Sequence, residues 1–425
     1  MADKKEKTKV LLIGYHGLRN SGADARLIIN EKDIKKALPN SEITIFSFSD
    51  YISGYVDSDN IIVPKLNLIE GYFEIYRKIK NFDIIIIDEG IPFADYWGRG
   101  FLDFWLFCLK LAKKRGKTTI LYGIDIDNMV QKDMQRVIHI IKKYVDLAIT
   151  RTNDSYKKLI RLGIKKQKIA KGEEITYLLK PDKNNNKLFD DGRLVLGVSV
   201  KNMHGFPIEF RLFGKSEDIY HYPFYFVYKY DRQKEKYHRF NNHFADMLRG
   251  LIRKYDANIA MFEMEHPMDN SVTAEIIRKT DCPDRMKLFS SKDYCPTEIK
   301  ALIAKTDLFI GTRLHSLIFA FEAGVPIISI GNDMRFVEFH DEIDHADFML
   351  NYRDRHLFER IRRRVPILLA HRKQINKRFK SVLSSLVAKA KNNHKILKSF
   401  IENVEPHNRA SEMSRRHCVD RKNIR

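Results

Sequence analysis

Residues Asp307 to Asp333 read DLFIGTRLHSLIFAFEAGVPIISIGND. The opening run to Ile310 has the length and composition of a buried strand. Gly311 and Thr312 break it. Arg313, Leu314 and His315 follow, and Ser316 to Glu322 carries apolar residues at helical spacing. Ala323 and Gly324 close the helix, Pro326 opens the next strand, and Ile327 to Ile330 completes it. Strand, turn, helix, strand is the unit of a parallel sheet, and such sheets bind ligands at the carboxyl edge of their strands. The turn therefore sets an arginine and a histidine at that edge. Arginine carries a permanent charge on a planar fork that fits carboxylate or phosphate. Histidine holds or passes a proton near neutral pH. Taken singly, each is more often a surface ion-pair partner or a packed ring. The pair, placed after Gly-Thr at a helix start, points to an anion site.

The same alternation recurs outward from this unit. Lys9 to Gly14 (KVLLIG) reads as a first strand, and a helix begins near Ala25. The loop between them holds Tyr15, Asn20, Gly22 and Asp24. It either offers backbone N–H groups to an anion or sugar hydroxyl, or is a plain turn capped by Asp24. Further strands are expected at Glu42 to Phe46, Asn60 to Val63, Phe82 to Ile87, Lys117 to Asp125 and Val145 to Thr150. After Ile87 come Asp88, Glu89 and Gly90. The two carboxylates either bind sugar hydroxyls or act as a base, or they are an acidic pair favoured by a helix start. Ile91 to Arg99 is an aromatic, irregular stretch. Arg151 precedes a helix capped by Asp154 or Ser155 and reads as structural. The polar, turn-rich segment Pro181 to Gly192 divides the chain.

The second half opens with a strand, Arg193 to Val200, ending at Lys201. Phe206 to Arg239 mixes aromatics and charges without a period. A helix at Phe240 to Arg253 and a strand at Ala257 to Phe262 follow. The loop after that strand puts Glu265, His266 and Asp269 on the same sheet edge as Arg313. One short loop is thin support for a metal, and no metal site is expected. A last strand lies at Phe348 to Leu350. Arg353 to Phe400 reads as long basic helices, and Glu405 to Arg425 as a disordered tail.

A chain of 425 residues suits two domains with ample cores. No apolar run approaches a membrane span, and the first residues lack the apolar stretch of a secretory signal. Cys108, Cys282, Cys295 and Cys418 show no metal-ligand spacing, so reduced thiols in a cytoplasm are expected. The formal net charge of +21 implies anionic company: a phosphorylated donor, a lipid-phosphate-linked sugar, a membrane surface or nucleic acid. The basic run Arg360 to Arg364 with Arg372 and Lys373 is either a solvated face or a contact for phosphate or an anionic membrane.

Gly-Thr-Arg-Leu-His-Ser, an apolar helix and Ala-Gly-Val-Pro-Ile-Ile together resemble the hallmark of the polysaccharide pyruvyl transferase family. The likeness is strong over Cys295 to Asp333 and patchy but in order from Val10 to about Asn351. The first loop resembles a family segment at Gly14, Tyr15, Gly17, Asn20 and Gly22, with Ala23 standing before Asp24. Asp88-Glu89-Gly90 stands where relatives often carry three glycines, and Lys201 where many carry an arginine.

The resemblance implies an α/β, GT-B-like fold: two Rossmann-like domains facing across a cleft, with carboxyl-terminal helices crossing back. The expected domains are 1–180 (acceptor side), 193–350 (donor side), 351–404 (basic helices) and 405–425 (tail). It implies transfer of a pyruvyl group from phosphoenolpyruvate to a sugar, releasing phosphate, with no cofactor. Arg313, His315, Glu89 and Asp88 are the expected catalytic residues, with His315 as the acid. Lys201, Thr312, Arg313, Leu314, His315, Asn332 and Asp333 are expected around the donor. Tyr15, Asn20, Gly22, Asp24, Glu265 and His266 are expected around the acceptor, a glycan or lipid-linked saccharide. The expected place is the cytoplasm, with peripheral contact at the inner membrane face and no nucleic-acid partner. A nucleotide-sugar glycosyltransferase and a non-catalytic basic binding protein are the alternatives.

Overall fold

The computed structural model describes residues 7–58, 60–64, 68–94, 99–183, 187–203 and 234–403. Two parallel sheets organise them. The first holds β1 (Thr8–Ile13), β2 (Ser41–Phe46), β3 (Asn60–Ile62), β4 (Ile84–Ile87), β5 (Thr118–Ile124), β6 (Leu147–Thr150) and β7 (Ile169–Lys171), in the order β3-β2-β1-β4-β5-β6-β7. The second holds β8 (Val195–Ser199), β9 (Asn258–Glu263), β10 (Met286–Ser290), β11 (Leu308–Gly311), β12 (Ile327–Ile330) and β13 (Met349–Leu350), in the order β10-β9-β8-β11-β12-β13. Both sheets run outward from a central pair and reverse there, between β1 and β4 and between β8 and β11. This is the doubly wound, Rossmann-like arrangement.

The central strands are apolar on both faces because helices cover both sides. The four isoleucines of β4 are all buried, and Val10 pairs with Ile84 across the first switch point. In the second sheet Ile310 pairs with Val198. One apolar core covers one face of the first sheet and continues through the second lobe, from Ile28 to Phe319 and Phe379. A separate core fills the other face of the first sheet, around Phe104 and Trp105.

The carboxyl-terminal helices, Leu357–Ala370, Arg372–Ala390 and 393–403, do cross back. Asn393 accepts from the Glu173 N–H (3.1 Å) and donates to the Glu173 carbonyl (2.9 Å), which ties the last helix to the first lobe. The basic run on these helices is largely engaged within the protein. Arg360 meets Asp354 at 3.0 Å, Arg364 donates to the Asp347 carbonyl, and Arg363 and Arg372 pair with Glu359 and Asp307. No helix among the described residues is long and apolar enough to cross a membrane.

Three expectations change. The first helix is Ser21–Ala37, four residues earlier than expected, because Asn20 rather than Asp24 caps it. The edge strands β7 and β10 were not expected; one is three residues long, and the other has charge and exposure within it. The helix Lys234–Tyr255 takes in the end of the stretch read as irregular. The rest of that stretch (206–233), Cys418 and the 405–425 tail lie outside the described residues, as do 95–98 of the aromatic stretch.

Candidate active site

A doubly wound sheet opens a crevice at its switch point, beyond the carboxyl ends of the two central strands. In the first lobe those ends carry the Tyr15–Asn20 loop after β1 and Asp88-Glu89-Gly90 after β4. In the second they carry Lys201 after β8 and Thr312-Arg313-Leu314-His315 after β11. The two crevices face each other, and the lobes meet there directly. Ser21 N–H donates to the Met264 carbonyl at 2.8 Å, and the Tyr15 hydroxyl donates to Glu265 Oε1 at 3.1 Å.

Arg313 is the N-cap of the helix Leu314–Glu322. Its guanidinium is already engaged: Nη1 meets Glu265 Oε2 at 2.6 Å, Nε meets both oxygens of Asp269 at 3.1 Å, and Nη2 pairs with Asp269 as well. Burial works against its charge, but Asp269 and Glu265 outweigh burial and lock the proton in place. The sequence led us to expect a donor-holding fork; the structure shows a clamp with two buried carboxylates. Glu265, expected near the acceptor, is thereby a partner of Arg313 and Tyr15. His266 turns its Nδ1 to Glu263 at 3.0 Å.

His315 packs its ring against Gly22 of the first lobe, so closely that a Cβ there would collide with Nδ1. Its Nε2 lies 3.8 Å from Glu174 Oε2 and has no hydrogen-bond partner. Burial lowers its pKa to about 3; Glu174 pulls upward, and Arg151, Arg26 and Arg335 push downward. At neutral pH the expected acid is therefore an uncharged imidazole, without the second proton that it would donate.

Lys201 donates its backbone N–H to Thr312 Oγ1 at 2.7 Å, which fixes the two turns to each other. Among the described residues no carboxylate lies within ion-pair distance of its ammonium group. Burial, then Arg313 and Arg335, lower its pKa to about 8. Asp333 caps the helix Met334–Glu342 and holds Arg335 at 2.8 Å, while Asn332 is exposed.

In the first lobe Asn20 Oδ1 accepts from Gly22 and Ala23 N–H, both at 3.1 Å. Asp24 is buried under the Tyr51 hydroxyl, and burial raises its pKa to about 6. Asp88 is fully enclosed, with His16 Nε2 at 2.8 Å and Asn30 Nδ2 at 3.0 Å. A carboxylate so placed does not reach a sugar hydroxyl, which corrects its reading as a base. Glu89 is half-buried and accepts from Tyr15 N–H (2.9 Å) and Ile91 N–H (3.2 Å). Burial raises its pKa, with Arg26 opposing.

Arg151, read from the sequence as structural, and two residues that sequence reasoning left out, Glu174 and Arg26, also converge here. Arg151 binds Asp125 at 2.5 Å and Glu174 at 2.9 Å. It follows strand β6 and precedes a helix capped by Thr152, the same setting as Arg313, and that parallel was the available signal. Glu174 is held ionised, its pKa near 2, because Arg151 foremost, with Arg26, outweighs burial. Arg26 sits one turn into the first helix, where an arginine among apolar residues resembles an ordinary helix residue. Arg151, Glu174 and Asp125 line one wall of a cleft of about 520 Å³, mouth included; Leu314, Arg335 and Glu338 line the other.

A family model described as polysaccharide pyruvyl transferase matches residues 20–334, from the Asn20 cap through the Arg313 turn to the Asp333 cap. The chain belongs to that family. No curated protein matches it at a significant level. Solved structures match its fold at low identity. A Listeria monocytogenes protein described as a UDP-N-acetylglucosamine 2-epimerase is 12% identical, with TM-score 0.63 over 94% of this chain and 97% of that one. A Neisseria meningitidis UDP-GlcNAc 2-epimerase bound to UDP-GlcNAc is 12% identical, with TM-score 0.58 over 93% and 100%. A Rickettsia africae glycosyltransferase is 12% identical, with TM-score 0.53 over 95% and 98%. At such identities the likeness is one of fold, that of GT-B-type enzymes.

Proposed function

We propose that this member of the family transfers the pyruvyl group of phosphoenolpyruvate to a sugar of a cell-surface or exported glycan, as a ketal, with release of phosphate. The observation that carries the reading is the Lys201 ammonium group at the second-lobe switch point. It stands beside the Thr312–His315 turn with no carboxylate within ion-pair distance among the described residues; Asp333 and Asp269 act on it from farther off. A small anion bearing phosphate and carboxylate supplies that partner, aided by the helix start at Leu314 and by Arg335 on the same wall of the cleft.

The chemistry adds a proton to the methylene carbon of the donor, making C2 cation-like. A sugar hydroxyl oxygen then bonds to C2 and loses its proton. The C2–oxygen bond to phosphate breaks, a second hydroxyl oxygen bonds to C2 and gives up its proton to close the ketal, and phosphate leaves with that proton. His315 begins neutral. A bound dianion offsets the arginines that push its pKa down, so His315 becomes an acid only after the donor is in place. Glu89, half-buried with a raised pKa, is the better placed of the two carboxylates after β4 to take the hydroxyl proton. Closure of the two lobes around donor and acceptor supplies the orientation.

The test is phosphate release from phosphoenolpyruvate in the presence of a cell-envelope glycan extract. Release is expected, with none of the label of a nucleotide sugar transferred; the reverse result would make the protein a glycosyltransferase. His315→Asn should lower the rate by about 10²- to 10⁴-fold while the far-ultraviolet spectrum stays that of the wild type.

A further inference from the structure

The helix Leu68–Lys78 leads from β3 to β4 over the face of the first sheet that the Phe104–Trp105 core fills. It turns Gly71 and Ile75 toward that core, and Ile79 follows them; all three are buried. Its opposite face is apolar as well. Ile69, Phe73 and Tyr76, four and three residues apart, share that face and are 57%, 64% and 54% exposed. They are three of the seven large apolar side chains that stand exposed among the described residues, and the other four lie far apart in the chain. A surface helix ordinarily shows water a polar face, so an apolar one marks a contact with something else.

The neighbouring helix, Arg99–Lys114, continues the same surface. Tyr72 packs on Phe104 and Phe107, with ring centroids 5.1 and 4.8 Å away, and the Arg115 guanidinium lies 5.1 Å over the Tyr76 ring. Phe107, Lys110, Leu111 and Lys114 recur at helical spacing, the two apolar residues half-buried and the two lysines exposed. Some charges here are paired: Glu74 holds Lys78 at 2.7 Å, Asp146 holds Lys113 at 2.7 Å, and Asp103 pairs with Arg136. Lys80, Lys110, Lys114 and Arg115 have no carboxylate within ion-pair distance among the described residues. The apolar stripe therefore carries a cationic rim.

We propose that this two-helix surface of the first lobe docks on an anionic lipid bilayer. Ile69, Phe73 and Tyr76 enter the boundary between headgroups and acyl chains, and the rim of Lys80, Lys110, Lys114 and Arg115 meets the lipid phosphates. Charge decides against the other occupants. A two-fold contact with a second copy through this face would set the same cations against one another. A nucleic-acid duplex has phosphates for the rim but no apolar layer for Ile69 and Phe73. The basic run of the carboxyl-terminal helices, by contrast, is engaged within the protein and lacks such a stripe. The helix Arg99–Lys114 also reaches the crevice, where Phe101 stands 5.5 Å from the Tyr15 ring, so docking brings the bilayer to the lobe of the expected acceptor residues. The inference is independent of the donor and of pyruvyl transfer.

The experiment sediments the full chain with vesicles of phosphatidylcholine alone and of phosphatidylcholine mixed with phosphatidylglycerol. Binding is expected to the anionic vesicles, weakening as salt is added, with little to the neutral ones. Phe73→Ser should weaken it about 10- to 100-fold, and Lys110→Ala and Lys114→Ala about fivefold each. These side chains face water, so the variants should keep the urea midpoint of the wild type. Ile367→Ser removes an exposed apolar group from a carboxyl-terminal helix and should bind as the wild type does. No binding to anionic vesicles, equal binding by Phe73→Ser and the wild type, or a loss in Ile367→Ser as large as in Phe73→Ser overturns the proposal. A lipid-free dimer that Phe73→Ser turns into a monomer overturns it in favour of a second copy, and binding to duplex DNA without binding to vesicles overturns it in favour of nucleic acid. Vesicle binding without phosphate release from phosphoenolpyruvate leaves this surface standing and pyruvyl transfer fallen; phosphate release without vesicle binding does the reverse.

Discussion

The two lobes share a strand order and each puts an arginine at its switch point, yet the two arginines live differently. Arg313 in the second lobe has two buried carboxylates of its own, Glu265 and Asp269. Arg26 in the first lobe has backbone carbonyls on one edge and no hydrogen-bond partner on the others, which are buried. A charge paired with buried carboxylates cannot be removed without stranding them, whereas one held by carbonyls leaves no unpaired charge behind. The comparison therefore divides the labour. Arg313 sets the second-lobe turn and joins it through Glu265 to Tyr15, while Arg26 ties the carboxyl ends of β4 and β5 together.

The largest effect expected from this division is on stability. Arg313→Met takes the cation from two carboxylates that are 2% and 0% exposed. Losing one partner of a buried pair costs about 3–5 kcal/mol, so the urea midpoint should drop sharply. Arg26→Met orphans no carboxylate and should cost less in the same titration. An Arg313→Met protein that unfolds like the wild type but no longer binds phosphoenolpyruvate would make Arg313 a donor contact and not a clamp.

A smaller effect tests whether the seam must close. Gly22→Ala drives a methyl into the His315 ring, which packing holds in place. Overpacking of this kind costs about 1–3 kcal/mol. Because the clash lies between lobes, it should show mainly as lost turnover. Gly54→Ala, where a Cβ meets nothing, is the control and should match the wild type in both respects. Full turnover by Gly22→Ala would mean that the contact between His315 and the first helix is incidental.

The turn after β11 was legible in the sequence because its signals are local. An apolar run, Gly-Thr, and a helix closed by Ala323-Gly324 fix the backbone within about twenty residues. The roles of its side chains were not legible, because they depend on partners far along the chain. Asp269 reaches Arg313 from 44 residues away, and His16 encloses Asp88 from the loop after the neighbouring strand β1. His315 reads as an acid from its type alone; it is neutral because burial and three distant arginines make it so. The edge strands β7 and β10 were missed for a related reason: short and partly exposed, they lack the apolar run that marks the central strands.

The mildest prediction concerns Lys201 and separates ligand binding from stability by sign. Its pKa of about 8 lies below the usual 10.5, so in the empty site the ammonium loses its proton as pH rises through 8. A donor anion needs the charged form. Affinity for phosphoenolpyruvate should therefore be flat below pH 8 and fall by up to about tenfold per unit above it. The unfolded chain keeps that proton until about pH 10.5, so it binds more protons than the native state between 8 and 10.5. Stability of the empty protein from this group should thus rise over the same window in which affinity falls. Lys201→Arg should flatten both curves and Lys201→Met should flatten both with weaker binding throughout, read by titration calorimetry and urea midpoints from pH 7 to 9.5. Two curves that fall together would mean that the ammonium already has an acidic partner in the native state, and that the second lobe, like Arg313, has no cation to spare for the donor.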